Sequence, residues 1–443
     1  MPVNEAPTAL RTENDSLISS IIDWMMDQSL SSSATMEDIF SGCCKRLRAS
    51  GIPIGRAYIA FRTLHPLYRV MGVTWELDKG VRTVGYTHEN SAREEQTAAW
   101  QNSPFNLMFN EGIPQIRRRL CDDTAIMDFG ILPELKEQGY TDYMAYAFSF
   151  EDSREDDHFD TKGMIGSWAS DSKGGFSDAH LQSLVRLQKR LAVISKIIIQ
   201  ENISKNICTT YLGRNAGNRV LKGQIKRGDG ERIHSVIWYS DLRNSTALAD
   251  SLPEEEYLQV LNGYFECTAG AIMDHGGDVL LLIGDAVLGI FPLNEGEDHQ
   301  ATCFRALMAA EDTTRRMTQI NSEGTCADGR CNIDFGLGLH VGNVMFGNVG
   351  LPDRLQFTTI GPAVNEASRL ESLTKTLDRR VLCSQSFRDT INCDSLQHMG
   401  DHKVAGVQKA LPVYGIDPNM SSQFGRCFQL DLPAQKTEEK LTV

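Results

Sequence analysis

The run Asp278-Val279-Leu280-Leu281-Leu282-Ile283-Gly284-Asp285-Ala286-Val287-Leu288-Gly289-Ile290-Phe291 decides how this chain is read. Two apolar segments of strand length flank a Gly-Asp pair, which is the pattern of a β-hairpin whose turn carries a carboxylate. Upstream, residues 234–240 read as another strand, and that strand ends on Asp241-Leu242-Arg243-Asn244-Ser245-Thr246. Helical periodicity follows over residues 253–275 and 299–320. Strands are expected at 333–341 and 344–349, a helix at 362–375, and short closing strands at 381–384 and 413–416. This alternation predicts an α+β sandwich, with helices over a mostly antiparallel sheet.

At 443 residues the chain exceeds one typical core, which predicts two domains or slightly more. A net charge of −14 argues against nonspecific nucleic-acid binding and against an anionic membrane surface as partner. Eleven cysteines without a secretory leader read as reduced thiols, and Cys326 and Cys331 as a loop with two thiols rather than a metal pair. The longest apolar run is broken by Asp285, far short of the ~20 residues of a membrane span. The expectation is a soluble, cytoplasmic protein.

The first half has a different texture. Residues 1–15 are polar and read as loose; helices are expected at 18–26 and 36–48. Strands follow at 56–63, 70–77 and 81–86, the last two joined by the turn Asp78-Lys79-Gly80. A mixed, partly helical section runs to Gly139, then strands at 143–150 and 164–170 flank an acidic loop, residues 151–160. Ser177 or Asp178 caps a long helix whose stripe (Leu181, Leu184, Val185, Leu187, Leu191, Ile194, Ile198) suits a seam between two copies as well as packing on its own sheet. The order of elements is that of a GAF- or PAS-like sensory module. Five glycines in residues 206–232 suit a connector. The expected domains are therefore 1–205 sensory, 206–232 connector, 233–418 catalytic, and 419–443 a flexible tail. His65 before Pro66 reads as a turn histidine rather than a cofactor ligand, and Trp75 and Tyr86 as core or pocket lining.

Asp241 and Asp285 each close a strand-like run. Mg²⁺ takes hard oxygen ligands, commonly one or two carboxylates plus substrate phosphates, and two acids on adjacent strand ends suit two ions. Asp is also common in turns, so either acid alone is open to a structural reading. Asn244-Ser245-Thr246 adds small polar side chains and amides suited to a phosphate. Far downstream, Asn365 and Arg369 stand four residues apart on one face of the predicted helix, an amide and a cation for a migrating phosphoryl group. The bland alternative for Arg369 is a surface cation paired with Glu366 or Glu371, worth under ~1 kcal/mol.

Residues 276–285 (Gly-Gly-Asp-Val-Leu-Leu-Leu-Ile-Gly-Asp) and 357–369 (Phe-Thr-Thr-Ile-Gly-Pro-Ala-Val-Asn-Glu-Ala-Ser-Arg) resemble signature segments of class III adenylyl/guanylyl cyclases. His340-Val341-Gly342 and Gly347-Asn348-Val349-Gly350 resemble that family's dimerisation arm. The resemblance covers about residues 233–416 and implies a ferredoxin-like βαββαβ core. It also implies a homodimer with sites at the interface. Asp241, Asp285 and the Leu242 backbone carbonyl of one subunit would hold two Mg²⁺ or Mn²⁺; Asn365 and Arg369 of the other would orient the ribose and stabilise charge. The implied reaction is attack of the ribose 3′-hydroxyl of ATP on the α-phosphorus, giving cyclic AMP and pyrophosphate. More weakly, the N-terminal half resembles sensory halves fused to bacterial cyclases, with a small-molecule or protein signal.

Two positions depart from the family pattern. The base-reading Lys falls at Leu281, leaving Thr358 as the matching half of the purine pair. The triphosphate-binding cation falls at Ala405, and Lys403, two residues earlier, is a substitute. Leu281 keeps a guanylyl or pyrimidine cyclase open, and with Ala405 a weak or pseudo-cyclase that binds nucleotide. A polymerase lacks support, because the chain is acidic and shows no basic groove.

Overall fold

The structure, a computed structural model, describes residues 8–31, 33–94, 97–122, 124–150, 163–323, 332–393, 396–403 and 410–415. The Cys326/Cys331 loop, the acidic loop at 151–160, Ala405 and the tail at 419–443 lie outside the described residues. The chain divides into two compact units, one ending at Ile207 and the other beginning at Cys208.

In the first unit the order is α1 (Thr8–Ser29), α2 (Met36–Ala49), β1 (Ile54–Arg62), β2 (Tyr68–Glu76), β3 (Gly80–Thr87), α3 (His88–Glu94), α4 (Ala98–Gln101) and α5 (Pro104–Glu111). Then come β4 (Gln115–Arg119), α6 (Ile131–Glu137), β5 (Asp142–Ser149), β6 (Gly163–Ser170) and α7, which runs from Asp178 to Leu212. The six strands form one antiparallel sheet in the order β3-β2-β1-β6-β5-β4. Strand alternation sends Ile59, Val73, Trp75, Met144 and Trp168 to one face, where α1, α2 and α7 cover them. The α7 stripe packs into this core through Leu184, Leu187, Leu191, Ile194 and Ile198. Those residues are thus covered within their own unit, and no seam between copies is needed to bury them.

Two elements differ from the sequence reading. The stretch read as loose enters α1 from Thr8. β4, Gln-Ile-Arg-Arg-Arg, looks like charged surface, yet it forms an edge strand anchored by an ion pair. Arg117 donates from Nε to Oδ1 of the fully buried Asp142 at 3.1 Å and from its second arm to Oδ2 at 2.6 Å. His65 accepts the Leu67 amide through Nδ1 at 3.1 Å, the turn role expected of it.

The second unit contains α8 (Arg214–Leu221), β7 (Gly230–Leu242), α9 (Ser245–Ser251), α10 (Glu254–Asp274), β8 (Asp278–Ile283), β9 (Ala286–Pro292) and α11 (His299–Glu323). It continues with β10 (Phe335–Leu351), β11 (Arg354–Ile360), α12 (Pro362–Thr376), β12 (Val381–Ser384), α13 (Gln385–Ile391), β13 (Gln397–His402) and β14 (Leu411–Gly415). The sheet order is β13-β14-β12-β10-β7-β9-β8, with β11 hairpinned onto the far end of β10. Among the described strands only β10 and β12 run parallel, so the fold is the expected α+β class with a mostly antiparallel sheet. Two strands expected at 333–341 and 344–349 are one, because β7 pairs with β10 without interruption from Phe335↔Leu242 to Gly347↔Gly230. The glycine-bearing segment read as connector holds the end of α7, all of α8 and the start of β7.

β10 carries glycine where α12 crosses it. A Cβ on Gly338 would stand 2.1 Å from the Ala367 carbonyl oxygen and 2.7 Å from the Glu371 amide nitrogen, both helix backbone. The helix that carries Asn365 and Arg369 therefore rests directly on strand backbone. Gly338→Val is expected to cost about 1–3 kcal/mol by overpacking, seen as a lowered denaturation midpoint; an unchanged midpoint would show that α12 can lift away freely.

Candidate active site

β7 and the β8–β9 hairpin bring the two acids together. Asp241 pairs across the sheet with Ala286, the residue after Asp285, and with Gly336 on its other side. Gly284 supplies the positive φ of 63° that the two-residue turn requires, and Asp285 occupies the second turn position. The two carboxyls share a hydrogen bond. Burial, then the neighbouring Asp285 charge, push Asp241 up to about 6. Two acids that would repel each other when ionised are thus held at one strand end.

The residues between them are divided in role. Arg243 donates to the carbonyls of Phe335 at 3.1 Å and Arg379 at 2.9 Å, tying the strand end to β10 and to the loop after α12. Asn244 stands at φ 58°, a left-handed conformation that Asn tolerates better than most residues. It turns the chain so that Ser245 and Thr246 open α9 beside the acids.

Two further groups belong to this place: Glu371, which the sequence offered only as a surface partner for Arg369, and Lys375, which it did not single out. Glu371 is 4% exposed, with one carboxyl oxygen unpaired among the described residues. Burial raises its pKa, and the Asp241 charge adds to the rise. It lies against Gly336, the cross-strand neighbour of Asp241, where a Cβ would meet the Glu371 carboxyl oxygen at 2.6 Å. Lys375, one helical turn on, opposes these charges and draws the Asp241 pKa down. The i,i+4 spacing of Glu371 and the exposed Lys375 was visible; the burial of Glu371 was not, because it depends on the bare β10 backbone.

Asn365 is exposed and Arg369 half-buried on α12, one turn apart. Neither makes a hydrogen bond or ion pair among the described residues. Glu366 instead lies 3.5 Å from His340, and Glu371 turns inward, so the surface pairing offered as an alternative for Arg369 is not what forms. No hydrogen bond links Asn365 or Arg369 to Asp241 or Asp285. Leu281 is partly buried against the cluster that includes Leu280, Leu288 and Phe357, while Thr358 sits half-buried on β11, an element that touches β8. Lys403 is exposed one residue beyond β13, so the strand-face argument for it does not carry over directly.

Among the described residues no cluster of three or more His, Cys, Asp or Glu is placed to hold an ion. The donor set at Asp241 and Asp285 nevertheless fits Mg²⁺ or Mn²⁺: hard carboxylate oxygens, close enough to repel. Without metal, the raised Asp241 has a thermodynamic consequence. The folded state binds its proton more tightly than the unfolded chain, whose Asp titrates near 3.8. Stability of chelator-treated protein should therefore fall as pH rises from about 4 to about 6. Asp241→Asn is expected to flatten that slope and to melt above the parent at pH 7; parallel melting curves would contradict the coupling.

Comparison with known proteins agrees with this geometry. Residues 231–417 match the family model described as the adenylate and guanylate cyclase catalytic domain. An adenylate cyclase of Anabaena cylindrica is 31% identical over 199 residues, covering 43% of this chain and 38% of that protein. A bacterial light-regulated adenylyl cyclase structure is 23% identical, covers 53% of this chain and 65% of its own, and superposes with a TM-score of 0.44. The guanylyl cyclase Cya2 is 25% identical over 43% of this chain and 97% of its own, at a TM-score of 0.37. The segment 231–417 thus belongs to the class III adenylyl/guanylyl cyclase catalytic domains. The chain spans well under half of the Anabaena relative's length. Among the described residues no helix is long and apolar enough to cross a membrane.

Proposed function

We propose that the chain is an adenylate cyclase, forming 3′,5′-cyclic AMP and pyrophosphate from ATP in sites shared between two copies of the catalytic domain. The observation that carries this reading is the meeting of Asp241 and Asp285 at one sheet end. Asp241, Asp285 and the Leu242 backbone carbonyl would hold two Mg²⁺ or Mn²⁺ ions, which when bound offset phosphate charge and favour ionisation of a hydroxyl. The ribose 3′-oxygen bonds to the α-phosphorus as the bond to the β-phosphate oxygen breaks; the hydroxyl proton passes to solvent and pyrophosphate leaves. Asn244, Ser245 and Thr246 line the phosphates, with Lys403 as an outer cation. Asn365 and Arg369 of the second copy orient the ribose and stabilise the charge that spreads over the transferring phosphoryl group. A signal received by the first unit passes along α7 to alter how the two catalytic halves meet.

Base choice rests on Leu281 and Thr358. Leucine can neither donate to adenine nor accept from guanine, so a tolerant pocket, or one turned toward GTP or a pyrimidine nucleotide, is the second reading. Leu281→Lys restores a donor and is expected to raise discrimination for ATP over GTP about tenfold to a hundredfold; an unchanged ratio would remove Leu281 from the base pocket. The deciding experiment incubates purified protein with ATP, GTP, CTP or UTP plus Mn²⁺ and identifies products by mass spectrometry. Cyclic AMP chiefly from ATP supports the proposal, and another cyclic nucleotide moves the base assignment. No product from a folded, dimeric protein would favour a nucleotide-binding module over an enzyme.

A further inference from the structure

The first unit's sheet has a second face, opposite the α1, α2 and α7 core, and an apolar row runs across it. Ala147 of β5, Ile165 of β6, Ala60 of β1, Gly72 of β2 and Val84 of β3 stand in register on five neighbouring strands. A sheet face turned to water would be polar at such positions. Here all five line a cavity of about 1320 Å³, walled by Trp100 of α4 and by Phe105 and Phe109 of α5. Small-molecule sites commonly measure roughly 300–1,000 Å³, so the space admits a ligand of that kind.

The small residues at the centre of the row let rings lie close to the sheet. A Cβ on Gly72 would stand 3.1 Å from the Tyr58 hydroxyl and 3.3 Å from the Tyr86 ring, and both tyrosines belong to the lining. About a quarter of the described lining is Phe, Tyr or Trp, against 8% of the whole chain. A shallow apolar floor between aromatic walls suits a flat guest, which stacks or meets ring edges on several sides.

The polar groups of the lining are engaged elsewhere. Arg56 has Glu76 at 3.5 Å, Arg62 is engaged within the protein, and Arg82 is exposed to water. Thr97 and Ser103 accept the amides of Trp100 and Asn106, and Tyr143 and Ser167 hydrogen-bond to each other. The Trp100 indole N–H has no partner among the described residues, but it is closed to solvent and so to a guest in the cavity. An acidic guest would give up its hydration for guanidiniums that already have partners or water. A cationic guest would meet three like charges. A guanidinium that keeps its in-plane hydrogen bonds still offers its face to a ring.

We propose that this cavity binds a flat, uncharged aromatic molecule, held by its faces rather than by a polar group. The inference stands apart from the cyclase reading, and its test reads binding rather than catalysis.

The probe is N-phenyl-1-naphthylamine, titrated into the full chain and followed by fluorescence, with 8-anilinonaphthalene-1-sulfonate as its charged counterpart. One saturable site per chain is expected for the neutral probe, with the sulfonate at least tenfold weaker. As competitors, 1-naphthol should displace the probe at least tenfold better than decahydro-1-naphthol, the same skeleton without its aromatic faces. Val84→Trp and Ala147→Trp fill opposite ends of the row, and each should abolish binding in a protein shown by its melting curve to be folded. Phe109 is 40% exposed, so Phe109→Leu keeps the fold and the apolar surface while removing a ring. It should weaken 1-naphthol at least fivefold and its saturated counterpart less than twofold. Sulfonate binding as tight as the neutral probe's, equal displacement by the two alcohols, parental binding in a folded tryptophan variant, or equal loss of both alcohols in Phe109→Leu would each overturn the proposal.

Discussion

Asp285→Ala is expected to abolish cyclic-nucleotide formation, with a fall in kcat/KM of at least about 10³-fold. That fall corresponds to ~4 kcal/mol of lost transition-state stabilisation, the scale on which single electrostatic groups act at phosphoryl centres. The variant isolates chemistry from folding. Gly284, not Asp285, carries the positive φ of the hairpin turn, so alanine fits the second turn position. Asp285 also raises the cost of ionising Asp241, and removing it relieves that repulsion. The variant should therefore melt at or above the parent temperature in chelator while losing activity. Product at near-parental rates would return Asp285 to the role of a turn acid, and with it the two-ion site. Loss of activity with loss of fold would be a different failure, visible in the same melt.

What could be read from the sequence was local, and what could not was set by pairing between distant segments. The β8–β9 hairpin, α10, α11 and α12 followed from periodicity and turn chemistry carried within a few residues. Asp241 and Asp285 were each visible as strand-end acids. Their proximity comes from the register Asp241↔Ala286, a contact between strands that no short window contains. β11 was quoted as a motif but not as a strand, since its partner is the far end of β10 and its own alternation is masked by Thr358 and Thr359. α13 and β13 were missed for a similar reason: each is short and held by neighbours, Phe387 by the core and β13 by β14. Glu371 shows the limit most clearly. On the sequence it is a helix-surface acid, and it becomes a buried neighbour of Asp241 only because Gly336 and Gly338 let α12 settle on β10.

The second large effect is recovery rather than loss. Asp285→Ala and Arg369→Ala should each be inactive alone, yet mixing them after subunit exchange should restore activity. If acids and arginine reach one site from different copies, a mixed dimer has one site with both defects and one site with neither. Random exchange makes about half of the dimers mixed, each with one working site of two, so recovery should approach about a quarter of the parental rate. The motive is local: Arg369 and Asn365 present an amide and a cation on α12 with no partner among the described residues, and no hydrogen bond joins either to Asp241 or Asp285. If that division holds, an amide and a cation from one copy and a pair of carboxyls from the other are complementary halves. The mixture must be titrated at fixed total protein, since recovery should peak at equal amounts and vanish at either end. Activity that never rises above the two parents, in a mixture shown to exchange subunits, would place all four residues in one copy. The sites would then be independent, and a signal from the first unit would have to act within a single catalytic domain.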